Sequence, residues 1–173
     1  MAQIPLKTID FAVFEEGKND RLATANIDLP GFETLTTEVS GAGIMGLIEV
    51  PSPGHFASQT LTINWNSIVR QSFNMMKAGL IALEFRSAQQ VFDNTNSAVL
   101  EQGIKITYRG LAKNNALGTL AKNEGTGGTT EIEMTYIKIW MDGNPVLEVD
   151  KPNYIFRING EDQNSNLKKI LGY

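Results

Sequence analysis

The sequence predicts a mainly β protein: an antiparallel β-barrel or sandwich with one flanking α-helix and a short C-terminal helix. Three observations carry this. Apolar and polar residues alternate with period two over many stretches, which is the period of a half-buried strand. Asp142-Gly143 and Asn159-Gly160, dipeptides suited to tight hairpin turns, punctuate the C-terminal part. Only one internal segment, about Ser67 to Met76, has helical spacing. The 173 residues, 42% of them hydrophobic, suffice for a core of their own. Residues 1–173 are therefore expected to form a single domain, with long loops at about 41–54 and 112–130.

In chain order, strands are expected from Asp10 to Glu15, Arg21 to Leu29 and Phe32 to Val39. The next residues, Gly41-Ala42-Gly43-Ile44-Met45-Gly46, fit G-x-G-x-x-G, the pattern of a dinucleotide-binding turn. Their context does not. A pyrophosphate needs a helix opening after the last glycine, and Pro51, Pro53 and Gly54 prevent one. The stretch Thr60 to Asn66 holds no carboxylate for a ribose hydroxyl. A Gly-rich loop is the better reading.

Leu61, Ile63 and Trp65 alternate with Thr60, Thr62 and Asn64, so this strand has one dry and one wet face. The helix follows, with Asn66 or Ser67 as N-cap, Gly79 just beyond its end, and Ile68, Val69, Phe73 and Met76 as an apolar stripe expected to pack on the sheet. Strands are next expected from Gly79 to Phe92 and around Ile104, Ile106 and Tyr108. Ala112 to Thr130 is rich in Asn, Gly and Thr, cannot bury much apolar area, and is expected to be a mobile arm in an isolated subunit. From Glu131 to Met141 the apolar phase slips near Tyr136, which a β-bulge would explain. Val146 to Ile158 reads as strand interrupted at Pro152. A helix around Gln163 to Leu171 closes the chain, with Lys168 and Lys169 where the helix dipole favours cations.

Composition removes several chemistries. With no cysteine and one histidine, disulfides and thiolate metal sites are out, and little remains for zinc or a histidine-activated nucleophile. His55, beside Pro53 and Gly54, reads as an exposed loop residue. No catalytic, cofactor-binding or metal residue is expected, and the chain is expected not to be an enzyme. A formal charge of −4 with scattered cations disfavours tight binding to a phosphate backbone. No apolar run approaches the ~20 residues of a membrane span, and the start lacks a signal-peptide pattern, so cytoplasmic residence is expected.

The most specific text is C-terminal: the strand ending at Asp142-Gly143, the step Glu148-Val149-Asp150, Asn153, the run Arg157-Ile158-Asn159-Gly160-Glu161-Asp162, and Leu171-Gly172. With Gly41-Ala42-Gly43 after a Thr/Glu-rich strand, this resembles the major tail tube protein of contractile-tailed phages and related phage-tail-like particles (tailocins). The resemblance implies a tail-tube-like fold, six copies closing into a ring, and rings stacking into a conduit for DNA or ions. It implies as partners further copies of the chain, a tail sheath protein, and baseplate, tape-measure and tail terminator proteins. DNA would be met only in passage, without specific binding, and a target membrane only by the assembled particle. Location would be the virion or particle, and the bacterial host cytoplasm during assembly.

On that basis Ile44, Met45 and Leu47 are expected as inter-ring contacts, being apolar residues on an exposed loop. Thr34, Thr36 and Glu38, with Thr60, Thr62 and Asn64, are expected to line the lumen as wet faces of strands. A type VI secretion-like tube protein and a ligand-binding β-sandwich are the alternatives; the latter is fold analogy only.

Overall fold

The computed structural model describes residues 3–19, 21–22 and 26–172. Twelve strands and two helices follow one another among them: β1 (Gln3–Glu15), β2 (Arg21–Leu22), β3 (Asn26–Asp28), β4 (Thr34–Val39), β5 (Ile48–Phe56), β6 (Thr60–Trp65), α1 (Arg70–Met75), β7 (Ile81–Asp93), β8 (Ala98–Ala116), β9 (Gly128–Met141), β10 (Asn144–Asp150), β11 (Ile155–Ile158), β12 (Glu161–Asp162) and α2 (Ser165–Leu171). Ten strands form one antiparallel sheet, in the order β12-β11-β10-β9-β8-β7-β1-β2 with β6 and β3 branching from β9. β4 and β5 pair only with each other among the described residues. The sheet has two ends, so of the two expected architectures the closed barrel is not formed. The strand expected from Arg21 to Leu29 is split, and its residues 23–25 lie outside the described set.

β9 is the axis of the fold. One side pairs with β8 along its length; the other pairs with β6 over residues 128–133 and with β10 over 136–141. The change of partner coincides with the slip in hydrophobic phase. Arg109 faces Tyr136 and Gly110 faces Met134, leaving Thr135 as the extra residue of a bulge. Thr130, Ile132 and Met134 are buried before it and Ile137 after it. Gly110 is required there, since a Cβ would stand 2.2 Å from the Glu133 carbonyl oxygen.

Burial unites Val13, Leu22, Leu61, Ile63, Trp65, Leu83, Phe85, Ile106, Tyr108, Ile132, Met134, Ile137 and Val149 in one core, so the sheet curls around its own dry face. The polar atoms carried inside find partners. The Tyr108 hydroxyl donates to the Ile132 carbonyl at 2.7 Å, and the Trp65 indole N–H donates to Thr130 Oγ1 at 2.8 Å, which donates in turn to Asn115 Oδ1. Burial pushes the Tyr108 phenol well above its ordinary pKa.

Both expected tight turns are present. Asp142 and Gly143 have φ of 48° and 80°, and Asn159 and Gly160 have 51° and 86°, the doubly left-handed geometry that joins right-twisted strands.

Three expectations are corrected. The 41–54 segment is not one long loop: β5 begins at Ile48 and runs through Pro51 and Pro53, because its outer edge carries no described partner and needs no ladder N–H. The 112–130 arm is shorter and pinned: β8 continues to Ala116 and β9 starts at Gly128. Thr119 N–H donates to the Thr126 carbonyl at 2.8 Å, and Thr126 N–H donates to the Asn66 carbonyl at 2.9 Å. Helix α1 starts late, at Arg70, with Val69 as an N-cap that makes no side-chain bond, so neither Asn66 nor Ser67 caps it. Its buried residues are Ser72 and Met75. Of the expected stripe only Val69 packs against the core; Phe73 on the helix, Met76 just past its end and Ile68 before it are exposed, because a turn and a half of helix has room for only one inward face. α2 falls where expected, with Lys168 and Lys169 in its last turn.

Candidate assembly surfaces

The β4–β5 hairpin stands off the main sheet and is amphipathic without being buried. Val39 lies opposite Ile48 and Thr37 opposite Val50, while on the alternate face Glu38 lies opposite Glu49 and Thr36 opposite Pro51. Leu35, Val39, Ile48 and Val50 are all exposed. A two-stranded ribbon is marginal by itself in water, and an exposed apolar face on one marks a contact surface. Its tip carries the expected inter-ring residues. Met45 is 100% exposed and Leu47 is exposed, whereas Ile44 is half-buried, its N–H donating to the Gly41 carbonyl at 3.1 Å. Gly43 and Gly46, with φ of 94° and 105°, turn the chain back. The G-x-G-x-x-G motif is therefore a hairpin tip, and no helix follows it.

What joins the hairpin to the body was not legible in the sequence. Phe56 sits edge-on to Phe32 and to Phe156, with ring centroids 5.9 and 5.1 Å away. His55, on strand β5 rather than in a loop, has Nδ1 3.1 Å from the Pro53 carbonyl oxygen and Nε2 2.9 Å from the Tyr154 hydroxyl. The tautomer that satisfies both donates from Nδ1 and accepts the Tyr154 proton at Nε2. Gly54, at φ 73°, lies against the buried Asn164 side chain so closely that a Cβ would stand 2.2 Å from Asn164 Nδ2. Phe56 and Phe156 could have been read as apolar strand positions; Gly54 and Asn164 gave no signal, because they meet across 110 residues of chain.

The expected lumen residues fall on two separate surfaces. Thr34, Thr36 and Glu38 belong to β4 of the hairpin. Thr60, Thr62 and Asn64 belong to β6, directly opposite Glu133, Glu131 and Thr129 of β9. This second face is acidic and hydrogen-bonded: Asn64 donates to Asp28 at 3.1 Å, and Glu133 accepts from Ser58 at 2.6 Å and pairs with Lys151 at 3.4 Å. Burial would raise the Glu133 pKa, but the Ser58 hydroxyl, the Gln59 amide and Lys151 outweigh it and hold the carboxyl below its usual value.

The third surface is α1. Arg70 and Phe73 share one face of the helix at i, i+3, Lys77 follows two residues past its end, and all three are exposed, flanked by exposed Ile68, Met76 and Leu80. Among the described residues no three His, Asp or Glu side chains are grouped to hold a metal ion.

A family model described as phage tail tube protein FII matches residues 5–172. The tail tube protein of Escherichia phage P2 is 22% identical over 175 residues, covering 98% of this chain and 98% of that one. The sheath/tube terminator of PVC, an extracellular contractile injection system, solved by cryo-EM in the extended state, superposes with a TM-score of 0.50 at 8% identity. That match covers 76% of this chain and 94% of the terminator, and is a likeness of fold.

Proposed function

The chain belongs to the phage tail tube protein FII family, and from that premise we propose that six copies close into a ring and that rings stack into the inner tube of a contractile tail or tailocin. It is a tail tube structural protein and not an enzyme. The whole chain acts as one tube unit. The single observation that carries the assembly reading is the β4–β5 hairpin, an amphipathic ribbon whose apolar face and tip are solvent-exposed in the isolated chain. Ile44, Met45 and Leu47 at its tip reach the neighbouring ring.

The bore passes DNA or ions without holding them. Thr60, Thr62 and Asn64 line it together with the acids opposite them, and Thr34, Thr36 and Glu38 extend the lining along β4. If six subunits assemble, 6 × (−4) gives −24 per ring, and a bore lined with neutral and acidic side chains does not hold a phosphate backbone that must slide past. A sheath surrounds the tube, a terminator closes its head end, a baseplate its tip, and a tape-measure protein sets its length. Subunits gather in the host cytoplasm before joining the particle, and only the finished particle meets a target membrane.

Negative-stain electron microscopy of the purified chain, alone and with an initiating baseplate, tests this reading. Rings or tubes with sixfold symmetry are expected. A concentration-independent monomer in both conditions overturns it.

A further inference from the structure

The hairpin and α1 are complementary in charge as well as in polarity. From residue 22 through residue 69 there is no Lys or Arg, while the hairpin and its approach carry Glu33, Glu38 and Glu49. Glu38 and Glu49 stand directly opposite each other, and like charges so placed destabilise a strand pair unless a cation is supplied. Residues 66–80 carry Arg70 and Lys77 and no acid. Neither cation makes an ion pair among the described residues, and the acids bordering the helix end are occupied, Glu15 by Lys18 and Glu16 by Arg109. The spare negative charge and the spare positive charge each lie beside exposed apolar side chains: Met45, Leu47, Ile48 and Val50 on one element, Ile68, Phe73 and Met76 on the other.

We propose that the β5 side of the hairpin in one copy, with Glu49 at its centre, seats on Arg70 and Phe73 of α1 and on Lys77 just past its end in a second copy. The inference rests on the tube reading above and names the two surfaces that meet. The contact is heterologous, a different patch on each partner, which is the kind that propagates into rings and tubes instead of stopping at a dimer. An edge-on seat uses β5 and the tip, and leaves Thr34, Thr36 and Glu38 on β4 free to face the bore. Apolar burial supplies the attraction. The charges fix register and reject wrong pairings.

The experiment is a charge exchange in the full chain, using Glu49→Lys, then Arg70→Glu with Lys77→Glu, then all three together. All three positions are exposed, so circular dichroism should match the parent and the melting temperature should not fall, Glu49→Lys turning a like-charge cross-strand pair into an opposite one. Either partial reversal should lower the sedimentable tube fraction at least about tenfold, and the triple exchange should restore it. Tubes from the partially reversed chains, or a folded triple exchange that stays unassembled, overturn the seat while leaving the tube reading intact; absence of tubes from the parent chain sinks both. Should a reversed chain fail to fold, the cysteine-free parent permits a second measurement. Glu49→Cys with Phe73→Cys should give intermolecular disulfide ladders in assembled tubes, and tubes without ladders overturn the seat.

Discussion

Replacing Gly54 by alanine tests whether the hairpin is held at a fixed angle. Two costs add. Gly54 has φ 73°, a left-handed conformation that costs a residue with a Cβ roughly 1–2 kcal/mol. The new methyl would also stand 2.2 Å from Asn164 Nδ2. Asn164 is 3% exposed, so its side chain has little room to swing away. Overpacking of this kind costs roughly 1–3 kcal/mol, for a total of roughly 2–5 kcal/mol. At about 2–4 °C per kcal/mol for a chain of this size, the melting temperature should fall by roughly 4–20 °C. If the hairpin detaches instead, the cost is limited to local opening, and amide exchange should accelerate in β4 and β5 while β8 and β9 keep their protection. Adding Asn164→Gly should recover the steric part and not the part due to φ. Thermal melts and hydrogen exchange on the monomer decide the matter, and a Gly54→Ala chain matching the parent in both would refute a rigid hairpin root.

Four further outcomes are expected. Met45→Asp with Leu47→Asp, both exposed, should leave stability within about 0.5 kcal/mol of the parent, as for surface changes generally, yet abolish tubes in electron micrographs. Thr36→Lys with Glu38→Lys should slow DNA ejection or ion conduction by assembled particles without blocking assembly; unchanged passage would remove β4 from the bore. Thr130→Val should cost about 1–3 kcal/mol in urea unfolding, because it strands the buried Trp65 indole N–H and Asn115 Oδ1. Stability should also fall in acid. Arg109 holds the Glu16 carboxyl below its ordinary 4.5, while for Glu84 burial opposes Lys105 and Arg86 but loses. A carboxyl with a lowered folded-state pKa contributes stability above its unfolded value and loses it as pH falls through the folded value, so the urea midpoint should drop below about pH 4.5. These pairs are partly solvated, so the effect of each is small.

The sequence by itself determined features whose cause lies within a few residues. Alternation placed β6 and β8, since a half-buried strand must show its period to have a dry face at all. The bulge at Thr135 could be read from the phase slip beside Tyr136, because an extra residue moves every later side chain to the other face. Asp142-Gly143 and Asn159-Gly160 announced their turns, as few other dipeptides accept two successive positive φ values. Membership in the tube family was likewise visible in the C-terminal run.

Tertiary structure alone decided which strands pair and which remain without partners. β5 could not be read because Pro51, Pro53 and Gly54 look like loop residues, and only the lack of a described neighbour on one edge makes them tolerable in a strand. α1 misled for a related reason: Phe73 and Met76 have the spacing of a core stripe, but the sheet had already filled its dry face and buried Ser72 and Met75 instead. The arm from 117 to 127 is pinned by Asn66, whose carbonyl accepts from Thr126, 60 residues further along the chain (126 − 66). Periodicity shows that an apolar face exists, but what covers that face depends on contacts distant in sequence, and for the hairpin and α1 no such cover is found within the described chain.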